Sequence, residues 1–191
     1  MSPPSASPDA RELFHFCARC GSPRNPGSQL NPFQCGRCGF TYYFNVSSAV
    51  AVFIEDDAGR VLFIRRGREP SRGKLALAGG FTDPGETGEE ATRREIHEEL
   101  GAALTDLRYL GTWPNRYLAN GFFVNVLDIF YCARLVSPTL ILDAHEVSGA
   151  EWLIPQHVDP AEVAFPSMRL ALAAYLEQAS RPGPPPALKT P

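Results

Sequence analysis

No stretch of this 191-residue sequence approaches the roughly 20 consecutive apolar residues that span a bilayer. The first residues also lack the apolar core of a secretory signal, so neither a membrane nor a secreted protein is expected. Basic charge is short as well: 18 Lys and Arg stand against 21 Asp and Glu, for a net charge of −3 and a pI near 5.8. A generic nucleic-acid binder carries the opposite balance, which disfavours nucleic acid as a partner. An acidic chain still binds phosphates where metal ions reverse the local sign. Dispersed cysteines, the mark of a disulfide framework, are missing too: four of the five fall into two close pairs and Cys132 stands alone. That usage points to a reducing cytoplasm.

What remains is enough for one ordinary domain plus a small module. The chain is 44% hydrophobic and 20% charged, a globular composition rather than a disordered one. Residues 1–15 begin Pro/Ser-rich and residues 181–191 read RPGPPPALKTP. Both are expected to be disordered tails.

Cys17 and Cys20, then Cys35 and Cys38, form two CxxC knuckles, each followed by glycine. Two intervening residues let both thiolates of a knuckle reach one ion at about 2.3 Å while the backbone turns tightly. Four cysteines fill a tetrahedral shell and leave no position for water, so the site is expected to be structural and its metal zinc. A redox CxxC usually occurs once, beside a βαβ pattern; here there are two. Residues 16–40 therefore read as a zinc ribbon, whose small core makes metal binding a large part of its folding energy.

From Ser48 the pattern changes. Residues 49–54 read as a strand, 55–59 as a hairpin turn and 60–65 as its partner. Arg65, Arg66, Arg68, Arg72 and Lys74 follow closely, either as a solvated loop or, through one or two arginines, as a contact for phosphates. A Gly/Pro-punctuated loop, Gly79–Glu86, then leads into a helix that Thr87 or Glu86 opens and Gly101 terminates. Glu95, Glu98 and Glu99 stand on it at i, i+3 and i+4, within about 100° of arc. Three carboxylates so close repel one another unless something positive lies between them. Solvated glutamates are one solution, and Mg²⁺ or Mn²⁺ with oxygen ligands is the other.

The full arrangement resembles the Nudix box, GX5EX7REUXEEXGU. Gly80, Glu86, Arg94, Glu95, Ile96, Glu98, Glu99 and Gly101 match it, while Ala102 stands where a larger aliphatic is usual. The resemblance implies an α/β/α sandwich around a mixed sheet over residues 46–180, with the ribbon in front. It implies hydrolysis of a pyrophosphate bond in a nucleoside diphosphate linked to another group. By position, Glu95, Glu98, Glu99 and the Gly80 carbonyl would hold Mg²⁺ or Mn²⁺, and Glu86 and Arg94 would brace loop and helix. Glu98 would orient or deprotonate the attacking water, with Glu146 as a further base or ligand from a loop beyond the box.

Ribbon plus box is similar to the NADH pyrophosphatase branch of the family. That branch carries SQPWPFPxS after the box, and this chain has Trp113-Pro114 within a different context. The implied substrate is thus of NADH, ADP-ribose or FAD type, with Arg65, Phe81, Trp113 and Tyr117 as candidate contacts. A non-catalytic nucleotide sensor and an RNA decapping enzyme are the alternatives, and a homodimer is expected by analogy. Residues 122–135 read as a long central strand, with Cys132 as a small core residue, and 167–178 as an amphipathic helix closing the sheet.

Overall fold

The computed structural model describes residues 7–179, so residues 1–6 and 181–191 of the expected tails lie outside the described part. Residues 8–14 do not behave as a tail. Residues 10–13 form a 3-10 turn capped by Asp9. Asp9 bridges to Phe123, and the Phe123 N–H donates to the Pro8 carbonyl at 2.9 Å.

The ribbon follows. Two short strands, β1 (Phe33–Gln34) and β2 (Thr41–Tyr42), pair antiparallel and flank the second knuckle. Phe14 packs on Phe33 and Phe44 with ring centroids 5.6 and 4.9 Å apart. The ribbon's small core of Cys17, Phe33 and Cys35 thus draws aromatics from both flanks.

β3 (Ser47–Glu55) and β4 (Val61–Arg66) flank the expected turn, where the Asp56 carboxylate accepts the N–H groups of Ala58 and Arg60. They pair only at their turn-proximal ends and then splay apart. The chain from β5 (Leu75–Ala76) onward fills the gap: it pairs with β4, then runs beside β3, whose Val52 and Val50 N–H groups donate to the Ala78 and Gly80 carbonyls. Helix α1 (Gly88–Leu100) starts at Thr87 in a capping box with Glu90 and ends at Gly101 in the left-handed region, which satisfies orphan groups at both ends.

Two long strands complete the sheet. β6 (Leu104–Ala119) and β7 (Phe122–Leu135) form a hairpin, β7 lies parallel to β3, and β8 (Val147–Leu153) pairs with β4. The order is β5-β4-β3-β7-β6 with β8 against β4. The composition of 104–119 hid β6: it carries Pro114, polar residues and two register shifts. Proline is tolerated there because β6 is an edge strand.

Residues 50–54 of β3 are all buried, as expected of a strand covered on both faces. On one face, Phe53 stacks on Tyr175 of α2 (Pro166–Ala179) at 4.6 Å and 2°. On the other, Tyr131, the β7 partner of Val52, lies beneath α1 at Gly88. The two helices therefore sandwich the mixed sheet. Cys132 is buried in the core, and burial pushes its thiol up to about 11.

Gly79 marks the closest backbone approach. Its φ is +142°, and a Cβ there would lie 2.1 Å from the Val50 carbonyl oxygen. Gly85 also has positive φ, at +96°, but open space around it. Gly79→Ala is expected to cost on the order of 3 kcal/mol or more by clash and strain, and Gly85→Ala about 1 kcal/mol. Chemical denaturation of both variants checks this order.

Candidate active site

A cavity of about 340 Å³ lies beside the N-terminal loop of α1, lined by residues of β3, the end of β4 and the chain from 77 to 83. It falls within the usual size for small-molecule sites. The cavity brings together Gly80, Phe81, Arg94, Glu95, Glu98, Glu99, Tyr117 and Glu146 of the sequence-derived candidates. Three others lie elsewhere.

Arg65 points to the opposite face of β4, where it pairs with Glu151 at 2.8 Å and donates to the Gly73 carbonyl. Side chains alternate along a strand, so Arg66 is the neighbour that lines the cavity, over the Phe165 ring at 4.8 Å. The run Val61–Ile64 is buried at every position, which left no alternation from which to read the face. Trp113 shares a face with Asn115 and Tyr117 but packs inward, edge-on to Phe130 at 5.4 Å. Glu86 is not among the lining residues and stands behind Arg94, which it pairs with at 2.7 Å.

Along α1 the three glutamates grade from buried to open. Glu99 is 6% exposed, and its Oε2 accepts the Gly79 N–H at 2.9 Å. Burial pushes its carboxyl up to about 8; that N–H opposes the shift, while the negative charges of Glu95 and Glu146 add to it. Burial raises Glu95 too, against the nearby Arg94. Glu95 also packs under the loop, since a Cβ on Gly80 would meet both its carboxylate oxygens at 2.6 Å. Glu98 has a half-exposed side chain. The Gly80 carbonyl accepts the Val50 N–H, leaving one lone pair for any other partner.

Arg94 is the positive centre of this cluster. It bonds Glu86 through Nε at 2.7 Å and Nη2 at 2.9 Å, Glu95 at 2.8 Å, Glu98 at 3.0 Å and the Phe81 carbonyl at 3.0 Å. The guanidinium holds the Glu86 carboxyl down at about 2. A planar fork is needed to serve acceptors on loop and helix at once.

Glu146 faces the helix from the loop before β8. The Asp143 and Ile141 N–H groups donate to the Glu99 and Leu100 carbonyls, tying that loop to the end of α1. The Gly67 N–H donates to the Glu146 carbonyl at 2.7 Å, and Arg68 pairs with its carboxylate at 2.7 Å. His145 beside it is exposed.

Among the described residues, only Cys17, Cys20, Cys35 and Cys38 converge as a ready ligand set, with all four Sγ atoms within 4.8 Å of one another. The Cys17–Cys38 and Cys20–Cys35 separations are both 3.7 Å. A tetrahedron of sulfurs at about 2.3 Å from one ion has edges of about 3.8 Å, so the cluster fits a single thiolate-bound metal and a zinc ribbon. The glutamates are spaced more loosely. Mg²⁺ and Mn²⁺ take one or two carboxylates and complete their shells with water and substrate phosphate, which this oxygen donor set suits.

A family model described as the NUDIX domain matches residues 46–174. The chain belongs to the Nudix family. Curated relatives include the NAD-capped RNA hydrolase NudC of Deinococcus radiodurans, 26% identical, covering 86% of this chain and 57% of the relative. The protein of the same name from Chromobacterium violaceum is 35% identical over 54% of this chain and 40% of its own length. The chain thus spans about half the length of the curated relatives it matches. Among solved structures, a MutT NUDIX hydrolase from Burkholderia pseudomallei superposes with TM-score 0.57 at 28% identity, covering 68% of this chain and 98% of that one. A NUDIX hydrolase from Nitrosomonas europaea gives 0.62 at 21% identity, over 87% and 94% of the two chains. The Nudix α/β sandwich with its preceding cysteine cluster is therefore the fold of this protein.

Several positions went unnoticed in the sequence: Asn115, Asp128 and Phe165 of the cavity wall. An aspartate inside the apolar strand 122–135 was the available signal for one of them. Arg94→Lys is expected to cost about 2 kcal/mol in metal-free protein, because an ammonium serves fewer of these acceptors and leaves carboxylates unpaired. Urea unfolding in the presence of a chelator measures it.

Proposed function

We propose that the chain hydrolyses the pyrophosphate bond of a nucleoside diphosphate linked to another group, a dinucleotide or ADP-ribose-type substrate, with Mg²⁺ or Mn²⁺. The observation that carries this reading is one cavity rimmed by Glu95, Glu98, Glu99 and Glu146 with Arg66, Arg68 and Arg94 interleaved. Glu95, Glu98 and Glu99 would hold the divalent ion, with Glu146 and the Gly80 carbonyl as further oxygens. Bound there, the ion would neutralise phosphate charge and acidify water.

The chain's own groups supply the rest. Arg66 and Arg68 attract and orient phosphate oxygens, and Phe81 and Tyr117 offer faces to a base. Glu98, the most open of the three helix carboxylates, aligns a water with phosphorus and takes its proton. The new O–P bond forms as the bridging P–O bond breaks in line, giving two phosphomonoesters. Arg94 and Glu86 keep loop and helix in register while this occurs. A sensor that binds without cleaving has no need of all three glutamates.

A second reading has specific support. The relatives are named as hydrolases of NAD-capped RNA, and the cavity shares Asn115 and Val126 with a groove between ribbon and Nudix domain. The substrate's distal group would then be RNA, despite the acidic net charge. The metal of the cysteine cluster is proposed to be zinc, the location cytoplasmic and the assembly a homodimer, the last by family resemblance.

Hydrolysis of NADH, NAD⁺, ADP-ribose, FAD, diadenosine tetraphosphate, CoA, dNTPs and NAD-capped RNA, with Mg²⁺ or Mn²⁺, tests the reading. Glu98→Gln is expected to lower turnover of the active substrate by a factor of about 10² to 10⁴ while the melting temperature holds. Near-normal turnover in that variant would return Glu98 to the solvated surface. Elemental analysis is expected to find one zinc per chain, lost in Cys35→Ser together with ribbon stability. Full zinc retention in that variant would refute the four-cysteine site.

A further inference from the structure

The buried side of the cavity carries a polar group that the hydrolytic chemistry leaves unused. Asp128 on β7 is 8% exposed, lines the cavity and lies on the α2 face of the sheet. Its Oδ2 accepts the Asn115 amide N–H at 2.9 Å and the Ser167 hydroxyl at 2.5 Å. Both bonds fall on one oxygen, and Oδ1 takes part in neither. The Asn115 oxygen is itself committed to the Arg116 N–H at 2.9 Å, so this pair offers the cavity an acceptor.

Burial raises the Asp128 pKa, Ser167 and Asn115 oppose it, and no basic group contributes. Holding a carboxyl out of water without a cation is costly. A hydroxyl–amide contact alone would tie α2 to β6 without that cost. Next to Asp128 the cavity is aromatic: Phe81 and Tyr117 meet edge to face at 5.7 Å, and Tyr117 and Phe165 at 5.8 Å. Phe165 lies two residues before Ser167, so the start of α2 joins the aromatic wall to the carboxyl. Ring faces beside a fixed, inward acceptor suit a planar heterocycle whose amino group points into the protein.

We propose that Asp128 determines specificity, accepting a hydrogen bond from an exocyclic amino or carboxamide N–H₂ on the substrate's base, with Asn115 and Ser167 as its positioning residues. A keto oxygen or carboxylate at that point would face another oxygen and be rejected. This rests on the hydrolase reading, since the base is that of the substrate whose pyrophosphate lies at Glu95, Glu98 and Glu99.

The test compares kcat/KM for three dinucleotides: NAD⁺, its hypoxanthine analogue, which has keto for adenine amino, and its nicotinic acid analogue, which has carboxylate for carboxamide. Wild type is expected to favour NAD⁺ over one of the two analogues at least about tenfold, chiefly through KM. Asp128→Asn, with its N–H₂ in place of an acceptor, is expected to bring that ratio near one or invert it, with kcat changed less than about threefold. Ser167→Ala keeps the carboxyl and is expected to retain most of the preference. A folded Asp128→Asn variant with the wild-type ratio overturns the proposal, as does an equal fall in kcat on all three substrates. Wild type that treats all three within twofold overturns it without any variant. If nothing is hydrolysed, the hydrolase reading fails on its own, and calorimetric Kd values for the same three dinucleotides give the same ratio.

Discussion

The Glu99 carboxylate lies at 6% exposure against the N–H of Gly79, 2.9 Å away, while that glycine presses on the Val50 carbonyl. A buried anion is tolerable only with donors or cations at hand, and here the donor is a backbone group that must approach without a side chain. That contact sets the height of α1 above the sheet and the path of the loop from residue 78 to 82 along β3. The Thr87 capping box then starts the helix where its face of glutamates meets the cavity. Glu95 fits beneath Gly80 by the same logic, since a Cβ there would displace its carboxylate.

Negative charge is concentrated at this rim, and the structure balances it locally rather than over the whole surface. Arg94 serves Glu86, Glu95 and Glu98, and Arg68 serves Glu146. Among the described residues no arginine is bonded to Glu99, and it shows the large upward shift. Glu86, held by two bonds from Arg94, shifts the other way. An anhydride with two charged phosphates adds to the burden on the acidic side and relieves it on the basic side. A divalent ion that drew Glu146 and the helix glutamates to itself would free Arg68, beside Arg66, for phosphate oxygens and so would resolve both at once. The sign of charge at the rim is set within a few ångströms, not by the net charge of the chain.

Local spacing carried much of this into the sequence. The i, i+3, i+4 glutamates, the Thr87 start, the Gly101 stop and the two knuckles depend on neighbours within one turn or loop, and they match the observed elements. The face of Arg66 against Arg65 depends on which strands cover β4, and those come from residues 75–76 and 147–153. Tyr117 reaches the cavity while Trp113, on the same strand face, turns to Phe130 because α2 covers that end of the sheet. Asp128 acquires meaning only beside Asn115, thirteen residues away, and Ser167, thirty-nine away. Such pairings are fixed by topology, and no window of sequence contains them.

The ordered N-terminal segment follows from an edge that the sheet would otherwise leave open. β3 begins its pairing with β7 at Ser47 against Val126, so residues 122–125 of β7 extend past it. Pro8 and Asp9 occupy that place: Pro8 accepts the Phe123 N–H, and Asp9 accepts from Asn125 and Arg11. An unpaired strand edge invites association, and covering it with the segment that leads into the ribbon serves two ends. It closes the edge, and it anchors the cysteine cluster beside the groove that shares Asn115 and Val126 with the cavity. A metal held by the four cysteines would then steady the ribbon whose Asn31 faces that groove.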